Sequence, residues 1–168
     1  MVPISNVFGE RGPETSDNGY LHTLSDGNMA ADGVVTFVSA GTHGEGGSIG
    51  EMYDGSPDTW YALTHGVFVG TGEGTITIDL GKKVTNATLT AYFSVQCAGT
   101  GNYTATLQTS EDDTTYSDLA SITRGTAGET FKNHSSKETL RYVRLKFKQN
   151  SGSDSGEGRC RALTVAKK

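Results

Sequence analysis

Apolar and polar residues alternate with a period of two along most of the chain from residue 75 onward. In the clearest run, Ile76, Ile78 and Leu80 alternate with Thr75, Thr77 and Asp79. Further apolar series with this spacing are Ala87, Leu89, Ala91 and Phe93; Tyr103, Ala105 and Leu107; Val143, Leu145 and Phe147; and Leu163 and Val165. This period is typical of antiparallel strands that bury one face.

Glycine-rich and acidic segments separate these runs and predict turns. One earlier strand is expected at 34–38, a run of β-branched and aromatic residues. The segment 41–47 holds four glycines in seven residues and is expected to be a loop. No segment shows a convincing helical period. Several short strands between turns predict an all-β, antiparallel, jelly-roll-like β-sandwich.

The chain is expected to form one folded unit, since 168 residues suit a single domain and no linker divides them. Residues 1–50 are glycine-rich and weakly patterned, so they are interpreted as an N-terminal extension or arm with an irregular first strand. Residues 51–168 are expected to form the sandwich itself.

The charge balance argues against a nucleic-acid partner. The formal net charge is −5, whereas nonspecific nucleic-acid binding needs a basic footprint. The basic residues Arg141, Arg144, Lys146 and Lys148 are best explained as the solvated face of one strand. No run approaches the roughly 20 apolar residues of a membrane span, so membrane insertion is not expected.

Two further features bear on whether the protein is secreted or stays in the reducing cytoplasm. The first residues lack the basic and apolar regions of a secretory signal. Cys97 and Cys160 both lie near expected strand ends, and the sequence leaves open whether they pair or remain reduced thiols.

Four segments, in this order, resemble the discoidin (coagulation factor C-type) family of galactose-binding-like domains. They are the loop with Asp54, Gly55, Thr59 and Trp60; the strand Ile76–Gly81; the hairpin 110–116, with Tyr116 where the family usually has Trp; and the strand Arg141–Leu145. The match covers roughly residues 50 to 165. The resemblance implies a β-sandwich that is used for binding and not for catalysis.

The resemblance also implies a candidate calcium site, because the equivalent loop helps to hold a structural calcium in many such modules. Asp54 would supply a carboxylate, and Thr59 a hydroxyl and a carbonyl oxygen. The family's last ligand is often a Glu in the final strand, where this chain has Ala162. The alternative is that Asp54 only caps a turn through backbone N–H groups. No cofactor is expected to be required.

Sugar-binding relatives place an aromatic ring against the sugar and bond its hydroxyls with His, Arg or Asn. The candidates here are Trp60, Tyr61, His65, Phe131, Asn133 and His134. The alternatives are a core position for Trp60 and ordinary surface positions for the two histidines.

Enzymatic chemistry is not expected. The chain has no Gly-x-Ser-x-Gly elbow, no His-Glu-x-x-His zinc motif and no phosphate loop. Paired carboxylates could serve glycoside hydrolysis, but the cluster Glu111, Asp112 and Asp113 falls in an expected hairpin turn.

Two hypotheses for function follow. The first is a non-catalytic virion-surface protein, a head decoration or tail accessory subunit made in the host cytoplasm. It would contact other virion subunits or further copies of itself, and would also attach to cell-surface glycans. This hypothesis rests on a small acidic chain without an export signal. The alternative is a carbohydrate-binding or adhesion module of a bacterial cell-surface or secreted system.

Overall fold

The computed structural model describes residues 14–15, 21–22, 28–39, 43–65, 72–152 and 155–167. Within these residues the chain forms strands and one short 3₁₀-helix, η1 (Ile49–Met52), with no α-helix. The strands are β1 (Glu14–Thr15), β2 (Leu21–His22), β3 (Val34–Ser39), β4 (His43–Gly46), β5 (Tyr61–His65), β6 (Glu73–Cys97), β7 (Asn102–Ser110), β8 (Ser117–Arg124), β9 (Gly128–Ser151) and β10 (Gly156–Ala166).

All strand pairs are antiparallel, and the main sheet has the order β4-β5-β10-β6-β9-β7-β8, with β3 also paired to β6. The register between β6 and β9 shifts between residues 79 and 87 of β6. These shifts divide the two long strands between two layers. One layer holds β3, β7, β8, residues 73–79 and residues 142–151. The other holds β4, β5, β10, residues 87–97 and residues 128–138.

The hydrophobic core lies between these layers, as the alternating pattern predicts. Ile76, Val143 and Leu107 from the first layer belong to one buried cluster with Phe93 and Leu163 from the second. The two layers come close together at Gly158, where an added Cβ would lie 2.9 Å from the Cβ of Phe147. The predicted all-β antiparallel sandwich is therefore confirmed.

The sheet begins further toward the N-terminus than the expected boundary at residue 50. The strand expected at 34–38 is confirmed as β3, which pairs with residues 74–79 of β6. The Asn28 side chain donates to Leu163 O at 2.8 Å and accepts from Val165 N at 3.0 Å, which fixes this segment to β10. Residues 28–39 are thus part of the sandwich. Residues 1–13 lie outside the described residues.

The expectation of a loop over 41–47 is wrong for residues 43–46, which form β4. These residues pair with β5 in an unbroken antiparallel register from His43 to Gly46. Glycine is unfavourable in a strand, but backbone pairing to an existing edge outweighs that preference here. The turn comes one residue later, at Gly47, which has a φ of +81°.

The two cysteines are buried free thiols. On the ladder between β6 and β10, Cys97 lies opposite Gly156, whereas Cys160 lies opposite Phe93. This offset along the strands separates the two side chains, so they do not form a bridge. Cys97 Sγ instead donates to the carbonyl oxygens of Gly99 and Gly101.

The acidic cluster lies in the connection between β7 and β8, as expected of a hairpin turn. Asp112 Oδ1 accepts hydrogen bonds from the backbone N–H groups of Thr114 and Thr115 at 2.9 and 2.8 Å. These bonds hold the pKa of Asp112 well below its usual range. Glu111 pairs with Lys83, and Asp113 pairs with Arg144. The carboxylates therefore fix the turn.

Candidate functional site

Three neighbouring strands, β10, β6 and β9, build a polar and aromatic patch on the outer face of the second layer. Their register places side chains in three cross-strand rows. The rows are Glu157, Gln96 and Glu129; Arg159, Ser94 and Phe131; and Ala162, Tyr92 and Asn133. On β6 and β10 these residues alternate with core residues, whereas on β9 they alternate with polar residues, so the two-residue period places all of them on one face.

A β-bulge adds one more side chain to this patch. The register of β10 against β6 shifts between Cys160 and Ala162, which leaves Arg161 as the extra residue. A bulge redirects side chains and often lies near binding sites. Arg161 lies on the same face as Arg159, and its Nε is 3.4 Å from Ser94 Oγ.

Glu129 holds both arginines. Its Oε1 accepts from Arg161 Nη2 at 2.8 Å, and its Oε2 accepts from Arg159 Nη1 at 2.9 Å. Burial opposes ionisation of this carboxyl, but hydrogen bonds from Arg161 and Ser94 and the charges of both arginines outweigh it. The pKa of Glu129 is therefore lower than usual.

Aromatic rings cover the arginines. The guanidinium carbon of Arg159 lies 4.3 Å from the centre of the Trp60 ring, and that of Arg161 lies 4.7 Å from it. Arg161 is also 5.0 Å from the centre of the Phe131 ring, which stacks on Tyr92 with centroids 5.8 Å apart. These cation–π and ring contacts fix the positions of the aromatic groups before any ligand binds.

The loop before β5, residues 54–60, lies against this patch. Asp54 Oδ1 accepts from Ser56 N at 2.8 Å, and Asp54 Oδ2 accepts from the Thr59 hydroxyl at 2.7 Å. Pro57 O accepts a 2.7 Å hydrogen bond from Arg161 Nη1, which ties the loop to β10. The loop thus places Asp58 and Trp60 beside the sheet.

Two open clefts lie here and share Asp58 and Trp60 as walls. The first has a volume of about 510 Å³, and its other lining residues are Pro57, Tyr92, Phe131, Asn133 and Arg161. The second has a volume of about 440 Å³, and its other lining residues are Gly47, Glu51, Thr59, Ala62, Glu157 and Arg159. We call them the aromatic cleft and the acidic cleft.

The structure brings together three of the six residues that the sequence analysis suggested for sugar binding. Trp60, Phe131 and Asn133 all line the aromatic cleft. Phe131 is 47% exposed, so its ring is open to a ligand. Trp60 is only partly buried, which differs from the alternative of a core position.

The other three candidates lie elsewhere or are not described. Tyr61 is 2% exposed and belongs to the core, so it cannot stack on a ligand. His134 is on the opposite face of β9 from Phe131 and Asn133, and its Nε2 is 2.8 Å from Ser136 Oγ. Burial lowers the pKa of His134. His65 pairs through its backbone with Gly156 and His43, and its side chain lies outside the described residues.

Sequence analysis missed Asp58, Tyr92 and Arg161. Tyr92 alternates with the core residues Ala91 and Phe93, so its outward direction could have been inferred from the period alone. The position of Arg161 depends on the bulge, which has no signal in this sequence. The position of Asp58 depends on the conformation of the loop before β5.

Asp54 and Thr59, the candidate calcium ligands, are bonded to each other within the loop, and calcium binding by them stays a prediction. Both oxygens of Asp54 accept hydrogen bonds from within the loop, and no described group of three or more His, Cys, Asp or Glu could hold a metal. Calcium needs six to eight oxygens. Ala162, at the position of the expected Glu, is buried against Tyr92. The geometry fits the alternative of a capped turn.

No helix among the described residues is long and apolar enough to cross a membrane.

The family model described as the NedA-like, galactose-binding domain matches residues 51–145. No curated protein matches the sequence.

Several solved structures are similar at low identity. The chitosan-binding module 1 of a chitosanase/glucanase from Paenibacillus sp. IK-5 is 19% identical, over 83% of this chain and 98% of that one, with a TM-score of 0.47. The C-terminal domain of a chitobiase from Bacteroides fragilis is 18% identical, over 83% and 96%, with a TM-score of 0.46. A fucosidase from Ruminococcus gnavus, in complex with fucose, is 21% identical, over 83% and 26%, with a TM-score of 0.46.

Proposed function

The chain belongs to the family described as the NedA-like, galactose-binding domain, and we propose that it is a non-catalytic carbohydrate-binding module with its site in the aromatic cleft. The observation that carries this proposal is the convergence of Trp60, Tyr92 and Phe131 with Asp58 and Asn133 in one open cleft. Sugar rings present an apolar face of C–H groups and an edge of hydroxyls. A site that combines aromatic rings with a few polar groups fits both.

The roles of the individual residues follow from exposure and chemistry. The exposed Phe131 ring offers a surface on which a sugar ring stacks, and Tyr92 behind it holds that ring in place. The Asn133 amide can donate to and accept from sugar hydroxyls, whereas the Asp58 carboxylate accepts only. Arg161 holds the Trp60 and Phe131 rings in place through its cation–π contacts with them. Because these positions are fixed by contacts within the protein, little ordering is needed on binding.

Binding of the purified chain to a broad glycan array, with and without calcium, tests the proposal. Phe131→Ala should weaken binding by about tenfold or more, since it removes the stacking surface. His134→Ala is a matched control on the same strand but the opposite face, and Val34→Ala removes another exposed apolar side chain outside the cleft. Both controls should bind like the wild type.

Two results would count against this function. One is the absence of binding to any glycan on the array. The other is equal binding by the wild type and Phe131→Ala, with thermal melting showing that both are folded. The second result would move the site away from the aromatic cleft.

The virion-surface context remains a prediction. A glycan cleft serves a head or tail protein and a bacterial cell-surface or secreted module equally well. Contacts with other virion subunits or with further copies of the chain likewise remain predictions. The carbohydrate-binding interpretation needs only the patch and the cleft, so it has the better physical support.

A further inference from the structure

Arg161 lines the aromatic cleft and Arg159 lines the neighbouring acidic cleft, and arginines in these positions would be expected to attract carboxylated or sulfated sugars. Their hydrogen bonds argue otherwise. The three guanidinium nitrogens of Arg161 are engaged by Pro57 O, Glu129 and Ser94. Those of Arg159 are engaged by Glu157, Glu129 and Gln96. Each arginine therefore uses three of its five N–H donors within the protein, and its charge is paired with a carboxylate.

Asp58 differs from the two arginines, whose charges are paired within the protein. It is exposed and lines both clefts. Its backbone N–H donates to Ser56 Oγ at 3.2 Å, but its carboxylate forms no hydrogen bond or ion pair with the described residues. With Arg159 and Arg161 balanced by Glu157 and Glu129, Asp58 carries the uncompensated charge among the described residues that line the aromatic cleft.

We propose that Asp58 is the specificity-determining residue of the site and ranks glycans by charge, with sugars that carry a protonated amine bound best, neutral sugars next and carboxylated sugars worst. This inference rests on the proposed function. An ionised carboxylate accepts hydrogen bonds from hydroxyl and ammonium groups but has no proton to donate to another carboxylate. The guanidinium charges of Arg159 and Arg161 are already paired with Glu157 and Glu129, so they add little net attraction for a carboxylated sugar.

The expected change in affinity with sugar charge is modest, because the cleft is open to water. A single charge pair near a protein surface changes affinity by about fivefold at low ionic strength. The wild type should bind an amino sugar about fivefold more tightly than the neutral sugar, and a carboxylated sugar about fivefold more weakly. Added salt should shrink both ratios, since exposed charges are screened.

The test uses sugars that differ in a single substituent, displayed on one polymer backbone. The probes are galactose, galactosamine and galacturonic acid, together with glucose, glucosamine and glucuronic acid. Binding is measured at about pH 6, where the amines are protonated and the carboxylates ionised. The proteins are the wild type, Asp58→Asn, and Asp32→Asn as a control that removes an exposed carboxylate outside both clefts.

The expected result is the ranking by charge in the wild type and in Asp32→Asn, with both ratios reduced to within about twofold in Asp58→Asn. Thermal melting shows whether Asp58→Asn is folded, and each ratio is taken within one protein, so a change in its affinity for the neutral sugars does not alter the comparison. Binding of neutral sugars without a charge ranking would overturn this inference and leave the proposed function intact. A ranking that survives in Asp58→Asn would also overturn it. No binding to any of the six probes would overturn it as well, and the glycan array then decides the proposed function separately.

Discussion

Glu129 Oε1 accepts a 2.8 Å hydrogen bond from Arg161 Nη2, across two strands that are not neighbours in the sheet. Arg161 extends from β10 past β6 to reach β9. The contact joins the strand that carries Phe131 to the strand against which Trp60 packs. The ion pair therefore links the two sides of the aromatic cleft across β6.

Replacing Glu129 by Gln should destabilise the fold by roughly 2 kcal/mol, because two buried arginines lose their shared counter-charge. Glu111→Gln is the control, since Glu111 and Lys83 form an exposed pair that contributes about 0–1 kcal/mol. Urea denaturation of both variants measures the difference. Equal stability of the two variants would show that Glu129 is not the centre of this network.

Glu129 should also make the fold sensitive to acid. Its pKa is lower in the folded chain than its ordinary value of 4.5, despite the opposing effect of burial, because Arg161 and Ser94 bond the ionised form. A carboxyl group with a lowered folded pKa stabilises the fold above its unfolded pKa. That contribution is lost as the pH falls through the folded value.

The difference in unfolding free energy between the wild type and Glu129→Gln should therefore be largest near neutral pH and shrink below about pH 4.5. Asp79 has a lowered pKa too, chiefly through its hydrogen bond from Arg141, and it remains in both proteins. Comparing the two proteins at each pH isolates Glu129. A difference that stays constant from pH 7 to pH 3 would contradict this assignment.

Side-chain alternation was enough to predict the sandwich, because a strand that buries one face has apolar and polar residues in alternation along its sequence. Ile76, Ile78, Leu89 and Phe93 are all in the core, as their spacing predicts. Alternation does not predict backbone pairing at an edge, which is why β4 was missed. Four residues with two glycines have no apolar pattern, yet they pair fully with β5.

The site was only partly predictable for a similar reason. Phe131 and Asn133 share a face, and the same period excludes His134 from it. Which face of β9 points away from the core could not be settled from this strand alone, since polar residues such as Lys132 and Ser136 alternate with Phe131. Trp60 reaches the cleft because the preceding loop is held by Asp54 and Thr59. Such loop contacts depend on three-dimensional geometry, and the family resemblance indicated only the loop itself.

Calcium should not affect the stability of the chain. Asp54 is already bonded to Ser56 N and to the Thr59 hydroxyl, so the loop does not need a metal to hold its shape. Thermal melting in calcium and in a chelator should give the same midpoint, whereas Asp54→Ala should cost about 1 kcal/mol through the lost bonds. A higher melting midpoint in calcium that disappears in Asp54→Ala would establish the metal site that the family resemblance implied.

Gly158 should be intolerant of any side chain, because the two layers meet at this residue. A Cβ at this position would lie 2.9 Å from Cβ, Cγ and Cδ2 of Phe147, a buried ring that stacks on Tyr103. Gly158→Ala must therefore push the layers apart or displace that ring, at a cost of about 1–3 kcal/mol. Gly125→Ala is the matched control, since nothing lies within 4 Å of an added Cβ there. Urea denaturation should give a lower midpoint for Gly158→Ala alone, and similar midpoints for both variants would mean that the layers are not in close contact at β10.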